Sequence, residues 1–204
     1  MDIGTLFAAA DGESSIYEET IRYYLNDRKI ILNDDITSDI LENVILHILK
    51  WNKEDKDLPV DKRKRIMIFI SSDGGEVIAG NSLISVIKAS ETPIVGVVFS
   101  SAASMASSIL ISCHERIAFE TSVVLLHDGT QGVCSSGNKA KDVMKFYDKL
   151  DQLQKELVVS RTKITDEDFE ENKDRERYFL APEAKEKGII DKIIGIDVGM
   201  SYIF

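Results

Sequence analysis

Apolar side chains follow two periods along this chain. Short uninterrupted apolar runs bounded by Gly, Pro or Asp predict strands buried on both faces, and recurrence every three or four residues predicts helices. The first pattern marks residues 29–32 (KIIL), 66–70 (IMIFI), 94–99 (IVGVVF), 116–119 (RIAF), 122–126 (SVVLL), 178–180 and 189–196. The second marks Ile16–Asn26, then a helix capped by Thr37, Ser38 or Asp39 that carries Ile40, Val44, Ile48 and Trp51 on one stripe. It also marks Val77–Ala89, a segment starting at about Ser104, and residues 181–187, with Pro182 near the start and Gly188 as the stop. The longest helical pattern places Val143, Phe146, Leu150, Leu153 and Leu157 at intervals of 3, 4, 3 and 4. That is a heptad seam, suited to packing against another helix or another subunit. Thr165 is placed to cap a short acidic helix. Residues 1–15 read as a mobile arm, 52–65 as a charged surface loop around Pro59, and 130–138 as a flexible Gly/Ser-rich connection. Strand–helix units in series, with a long helix inserted before the last, predict an α/β domain with a projecting helical arm.

One stretch breaks the alternation. Residues 92–113 carry no charged side chain over 22 positions, long enough to span a bilayer. Pro93, Gly96 and six serines from Ser100 to Ser112 argue instead for a buried strand ending at Phe99, a tight turn of small residues, and a packed helix. A serine at such a junction, Ser104, lies beside helix N–H groups that lack intrahelical partners. A nucleophile with an oxyanion hole needs that arrangement, although Ser/Ala-rich turns also serve close packing alone. A second junction, SSDGGEV (Ser71 to Val77), ends a strand in paired glycines before a helix. It lacks the Gly-Lys-Ser/Thr of a phosphate-binding loop.

Composition narrows the classes. Thirty-five acidic residues against 25 basic ones give a net charge of −10, which argues against nucleic-acid binding. The basic cluster at 62–65 flanks a strand as a solvated edge. Two cysteines, Cys113 and Cys134, form no CxxC pair, so neither a disulfide framework nor a zinc site is expected. His47 has no partner at ligand spacing, and no metal or other cofactor is expected. The N-terminal residues have no basic region before a long apolar run, so no signal peptide is expected, and the setting reads as soluble, reducing and cytoplasmic. Among the three histidines, only His127 ends an apolar strand beside a glycine, where α/β sheets build their sites. Ser104, His127 and the Gly-Gly turn together suggest a serine hydrolase.

Four blocks in this order also resemble the Clp peptidase family, the proteolytic subunits of ATP-dependent caseinolytic proteases, over roughly residues 29–194. They are ISSDGGEVIAG (Ile70 to Gly80), SSAASMAS (Ser100 to Ser107), LLHDG (Leu125 to Gly129) and RYFLAPEAKEKGIID (Arg177 to Asp191). The resemblance implies a crotonase-like spiral of β-β-α units with a helical handle over about residues 128–175. It implies one peptidase domain over 29–204, preceded by an axial arm and first helix over 1–28. It also implies Ser104 as nucleophile, His127 as general base, the N–H groups of Gly75 and Met105 as oxyanion hole, and Gly74 and Val77 in substrate binding. Heptameric rings, stacked in pairs through the seam helix, would enclose the sites. An AAA+ unfoldase would bind the ATP and deliver unfolded polypeptides.

The family's third triad member is usually an aspartate before the closing segment, where this chain has Glu176, with Asp174 two residues earlier as the alternative. Asp73 stands in place of a proline, Ser100 in place of a frequent glycine, and Asp128-Gly129 in place of Gln-Pro. Asp128 would then add a carboxylate beside His127, raising its affinity for a proton or competing with Glu176. A serine endopeptidase working through an acyl-enzyme is the leading expectation. A catalytically weak or silent ring subunit is the alternative, and an acyl-CoA enzyme of the wider crotonase group is the remainder.

Overall fold

The structure, a computed structural model, describes residues 15–129 and 133–204. The arm expected over residues 1–15 lies, apart from Ser15, outside the described residues, as does part of the connection at 130–138. No helix among the described residues is long and apolar enough to cross a membrane.

Helix α1 (Ile16–Asn26) opens with a capping box in which Ser15 and Glu18 satisfy each other's backbone N–H groups. Strand β1 (Lys29–Leu32) starts a sheet that continues through β2 (Ile66–Ser72), β3 (Ile94–Ala103), β4 (Glu115–Phe119) and β7 (Lys192–Ile194), with every pair parallel. Both faces are covered, so the side chains sort by twos: Ile66, Ile68 and Ile70 enter the large core, while Met67 enters a smaller one with Val95, Val97, Ile117 and Ile203. Helices α2 (Leu46–Asp55), α3 (Val77–Ala89) and α4 (Met105–Ser112) lie over the large core, contributing Ile48, Trp51, Leu83, Ile87, Ile109 and Leu110.

Among the boundaries that differ from expectation, three have a clear physical cause. Strand β3 does not end at Phe99. Its first half pairs with β4, and the SSAA segment continues as strand, pairing Ser101–Ala103 with β5 (Val123–Leu126). The buried Ser122 hydroxyl, shared between the carbonyls of Val98 and Phe99 (2.9 and 3.0 Å), fastens the point where β3 changes neighbours. Helix α2 is preceded by a π turn (Leu41–Ile45) without a side-chain cap, and it runs past Trp51 to Asp55. That extra turn is fixed by polar contacts: Arg28 donates to the Asp55 carboxylate (2.6 and 2.9 Å), and Asn52 accepts from the N–H groups of Glu91 and Thr92. The last strand is three residues long, because Gly195 turns the chain at φ +94°.

Helix α5 (Gly137–Arg161) is the projecting arm, 25 residues and about 37 Å long. Its seam splits into two columns. Leu150 and Leu157 are buried against the domain, whereas Phe146 and Leu153 stay exposed. Helix α6 (Asp166–Glu171), capped by Thr165 with Asp168, leads back to β6 (Arg177–Leu180), which pairs antiparallel with β5; α7 (Ala181–Glu186) follows.

Candidate active site

The turn between β2 and α3 depends on two glycines. Gly74 and Gly75 have φ of +108° and +146°, values that L side chains rarely adopt. A Cβ at Gly75 would meet the Ile36 carbonyl oxygen at 2.3 Å, because the turn docks on that backbone. The Ile36 N–H donates to Gly74 O (2.8 Å) and the Glu76 N–H donates to Ile36 O (2.7 Å). Between those two bonds the Gly75 N–H has no partner among the described residues. A Cβ at Gly74 would lie 2.7 Å from Ser104 Cβ, so this turn is pressed against the second junction.

At that junction Ser104 has φ +53° and ψ −124°, a strained backbone for a residue with a side chain. Such strain, about 1–3 kcal/mol, persists only where the surroundings over-determine it. Here the Ser104 N–H donates to Leu125 O (3.1 Å), and the Ser107 N–H and hydroxyl both donate to Ser104 O (3.0 and 2.6 Å). All eight residues of α4 behind it are buried. Met105 occupies the first helical position, its N–H without a partner among the described residues, and its side chain fills the space left by the missing Cβ of Gly80. Two unpartnered N–H groups therefore flank Ser104, one from each turn.

Strand pairing brings the remaining groups together. The register Ala103↔Leu125 sets His127, two residues on, beside the Ser104 turn. The antiparallel register Leu126↔Arg177 sets Glu176 opposite His127. Glu176 Oε1 lies 3.9 Å from His127 Nδ1, an electrostatic contact longer than a hydrogen bond, and its Oε2 accepts from the Tyr178 hydroxyl at 2.7 Å. That carboxylate raises the Tyr178 phenol above its ordinary pKa. No hydrogen bond joins Ser104 to His127 among the described residues. Asp174 adopts φ +57°, and its N–H donates to Asp128 Oδ2 at 2.7 Å. Of the two carboxylates considered for the third position, Glu176 is the one facing His127. Asp128 makes no ion pair with the imidazole among the described residues and is engaged by the Asp174 backbone instead, so the expected competition with Glu176 does not arise there.

Ser104 and His127 open onto a cleft of about 410 Å³, also lined by Gly75, Val77 and Met105. Gly74 does not line the cleft and packs against Ser104 instead. Sequence reasoning missed the opposite wall: Tyr147, Leu150, Asp151, Gln154 and Val158 of α5, with Phe169 and Arg177. These helical residues recur at 3, 1, 3 and 4, one face of a helix that shares Leu150 with the apolar seam, so the spacing carried the signal. The wall is partly polar. Gln154 donates to Asn81 Oδ1 (3.0 Å) while its own Oε1 is buried without a partner among the described residues, as is Nε of Arg177, whose guanidinium lies 5.4 Å above the Phe169 ring. Burial lowers the Arg177 pKa. Cys113 is far less reactive than an exposed thiol, since burial pushes its pKa up to about 12.

The profile of the family described as Clp protease matches residues 12–197. The chain belongs to the Clp protease family. Its α/β sheet with covering helices is the fold of that family. Among curated relatives it is 28% identical over 204 residues to ATP-dependent Clp protease proteolytic subunit 1 of Streptomyces coelicolor, covering 97% of this chain and 90% of the relative. It is 27% identical over 184 residues to proteolytic subunit 2 of Thermobifida fusca (88% and 86% covered). It is 30% identical over 139 residues to proteolytic subunit 3 of Rhodococcus jostii (66% and 67% covered).

Proposed function

We propose that this Clp protease family member is a serine endopeptidase subunit that hydrolyses unfolded polypeptides through an acyl-enzyme on Ser104. One observation carries the reading: Ser104, His127 and Glu176 converge by strand register beside the two unpartnered N–H groups of Gly75 and Met105. His127 takes the Ser104 proton as Oγ attacks the scissile carbonyl, and Glu176 steadies the imidazolium that forms. The Gly75 and Met105 N–H groups receive the oxyanion of the tetrahedral intermediate. Its collapse breaks the C–N bond, and the leaving amine takes the proton from His127. Water then enters, gives a proton to His127 and attacks the acyl carbon; the bond to Ser104 Oγ breaks, His127 returns the proton to Oγ, and the acyl group leaves as a carboxylic acid. In this mechanism the Ser104–His127 and His127–Glu176 hydrogen bonds, the latter starting from a 3.9 Å contact, tighten as substrate closes the site.

The assembly proposed with this chemistry is a pair of heptameric rings, joined through the exposed Phe146 and Leu153 column and served by an AAA+ unfoldase that binds the ATP. A reducing, cytoplasmic setting suits the two unpaired cysteines. The second reading, a ring subunit without turnover of its own, is favoured by the absent Ser104–His127 hydrogen bond. Degradation of an unstructured polypeptide by purified wild type and Ser104→Ala separates them. Cleavage lost in the variant supports the peptidase. Equal cleavage by both overturns it, and none by either in assembled rings favours the silent subunit.

A further inference from the structure

Glu176 is long, and its side chain is 59% exposed, so a third triad member at this position needs an external restraint. Two contacts supply one, and neither belongs to the triad itself. Upstream, Asp128 Oδ2 accepts from the Asp174 N–H at 2.7 Å, holding a non-glycine residue in the left-handed region (φ +57°) two positions before Glu176. Downstream, the Tyr178 hydroxyl donates to Glu176 Oε2 at 2.7 Å, leaving Oε1 as the oxygen toward His127. The regular β5–β6 ladder ends at Leu126↔Arg177, so the Asp128 side chain fastens the two strands beyond their last backbone pair.

We infer that Asp128 and Tyr178 are positioning residues that hold Glu176 in register with His127, Asp128 through the backbone and Tyr178 through the carboxylate. The inference rests on the proposed triad. Asp128 is thereby a restraint on the handle-to-strand return, in place of a rival for the imidazole. Tyr178 selects which carboxylate oxygen is free.

The test measures kcat, KM and the rate of fluorophosphonate inactivation for the assembled protein in wild type, Tyr178→Phe, Asp128→Ala and Asp128→Asn, each also in a Glu176→Ala background. Tyr178→Phe and Asp128→Ala should each lower kcat and the inactivation rate roughly two- to tenfold, the range set by one hydrogen bond, with KM little changed. Asp128→Asn should restore most of the loss, because its amide oxygen also accepts from Asp174 N–H. In the Glu176→Ala background both effects should vanish. Wild-type rates in Tyr178→Phe and Asp128→Ala, or losses that persist without Glu176, overturn the inference. If wild type neither turns over nor labels, the triad reading has failed. Crystal structures of Tyr178→Phe and Asp128→Ala then decide on position alone: Glu176 displaced from His127 supports the restraint, and Glu176 unmoved overturns it.

Discussion

Gly75→Ala isolates the oxyanion donor from the rest of the site. The added Cβ would lie 2.3 Å from the Ile36 oxygen, 2.7 Å from its nitrogen and 3.0 Å from its carbonyl carbon, at a φ of +146°. All three atoms are backbone, so no side chain can swing aside. The turn must move, and the Ile36–Gly74 and Glu76–Ile36 hydrogen bonds that aim the Gly75 N–H must stretch. Strained backbone of this kind costs about 1–3 kcal/mol, which a folded domain tolerates. Losing one oxyanion donor lowers kcat about 10²–10³-fold, or about 2.7–4 kcal/mol of transition-state stabilisation. Because the donor acts mainly on the tetrahedral state, KM should change little. The assay is steady-state cleavage of a short fluorogenic peptide, with assembly checked by sedimentation. Gly199→Ala serves as control, since its Cβ would meet nothing nearer than 3.9 Å. A folded, assembled Gly75→Ala variant that keeps about a third of wild-type kcat or more would refute the assignment of the Gly75 N–H.

Glu176→Ala should cut peptide turnover at least about tenfold, as expected for losing an orienting carboxylate, whereas Asp174→Ala should cost less, since its side chain makes no ion pair with His127 among the described residues; the reverse order in steady-state kinetics would exchange their roles. Glutamate at Phe146 and Leu153, exposed on α5, should split double rings into smaller species by analytical ultracentrifugation, and an unchanged profile would exclude that column from the ring contact. His114 accepts the Ile94 N–H on Nδ1 (3.0 Å), and partial desolvation of its ring, with nearby Arg161, lowers its pKa below 6.5. Its contribution to stability is therefore complete above pH 6.5 and lost as pH falls through the lowered folded value. Thermal melts from pH 7.5 to 5 should show wild type losing more stability than His114→Asn, and parallel losses would contradict the Nδ1 contact.

Long patterns were legible because burial writes them into the sequence. IMIFI and IVGVVF, short apolar runs bounded by polar or turn residues, pointed to buried strands, and the two glycines before Glu76 pointed to a tight turn with unusual φ. Ser104 and His127 stood out because each ends a strand at a small-residue junction. The SSAA segment hid its strand character, since it lacks β-branched residues and is held by pairing with β5 and by Ser122, both remote in sequence. Asn52 and Asp55 looked like loop residues because their partners, Arg28, Glu91 and Thr92, lie tens of residues away. The cleft wall on α5 was obscured by the apolar seam beside it. The engagement of Asp128 by Asp174 needed the β5–β6 register, which no local pattern encodes.

The central claim is that Ser104 is an activated nucleophile. Intact mass spectrometry after fluorophosphonate treatment of wild type and Ser104→Ala tests it most directly. One adduct per chain on wild type and none on the variant is the expected result. No adduct on assembled wild type, or an equal adduct on Ser104→Ala, would contradict it.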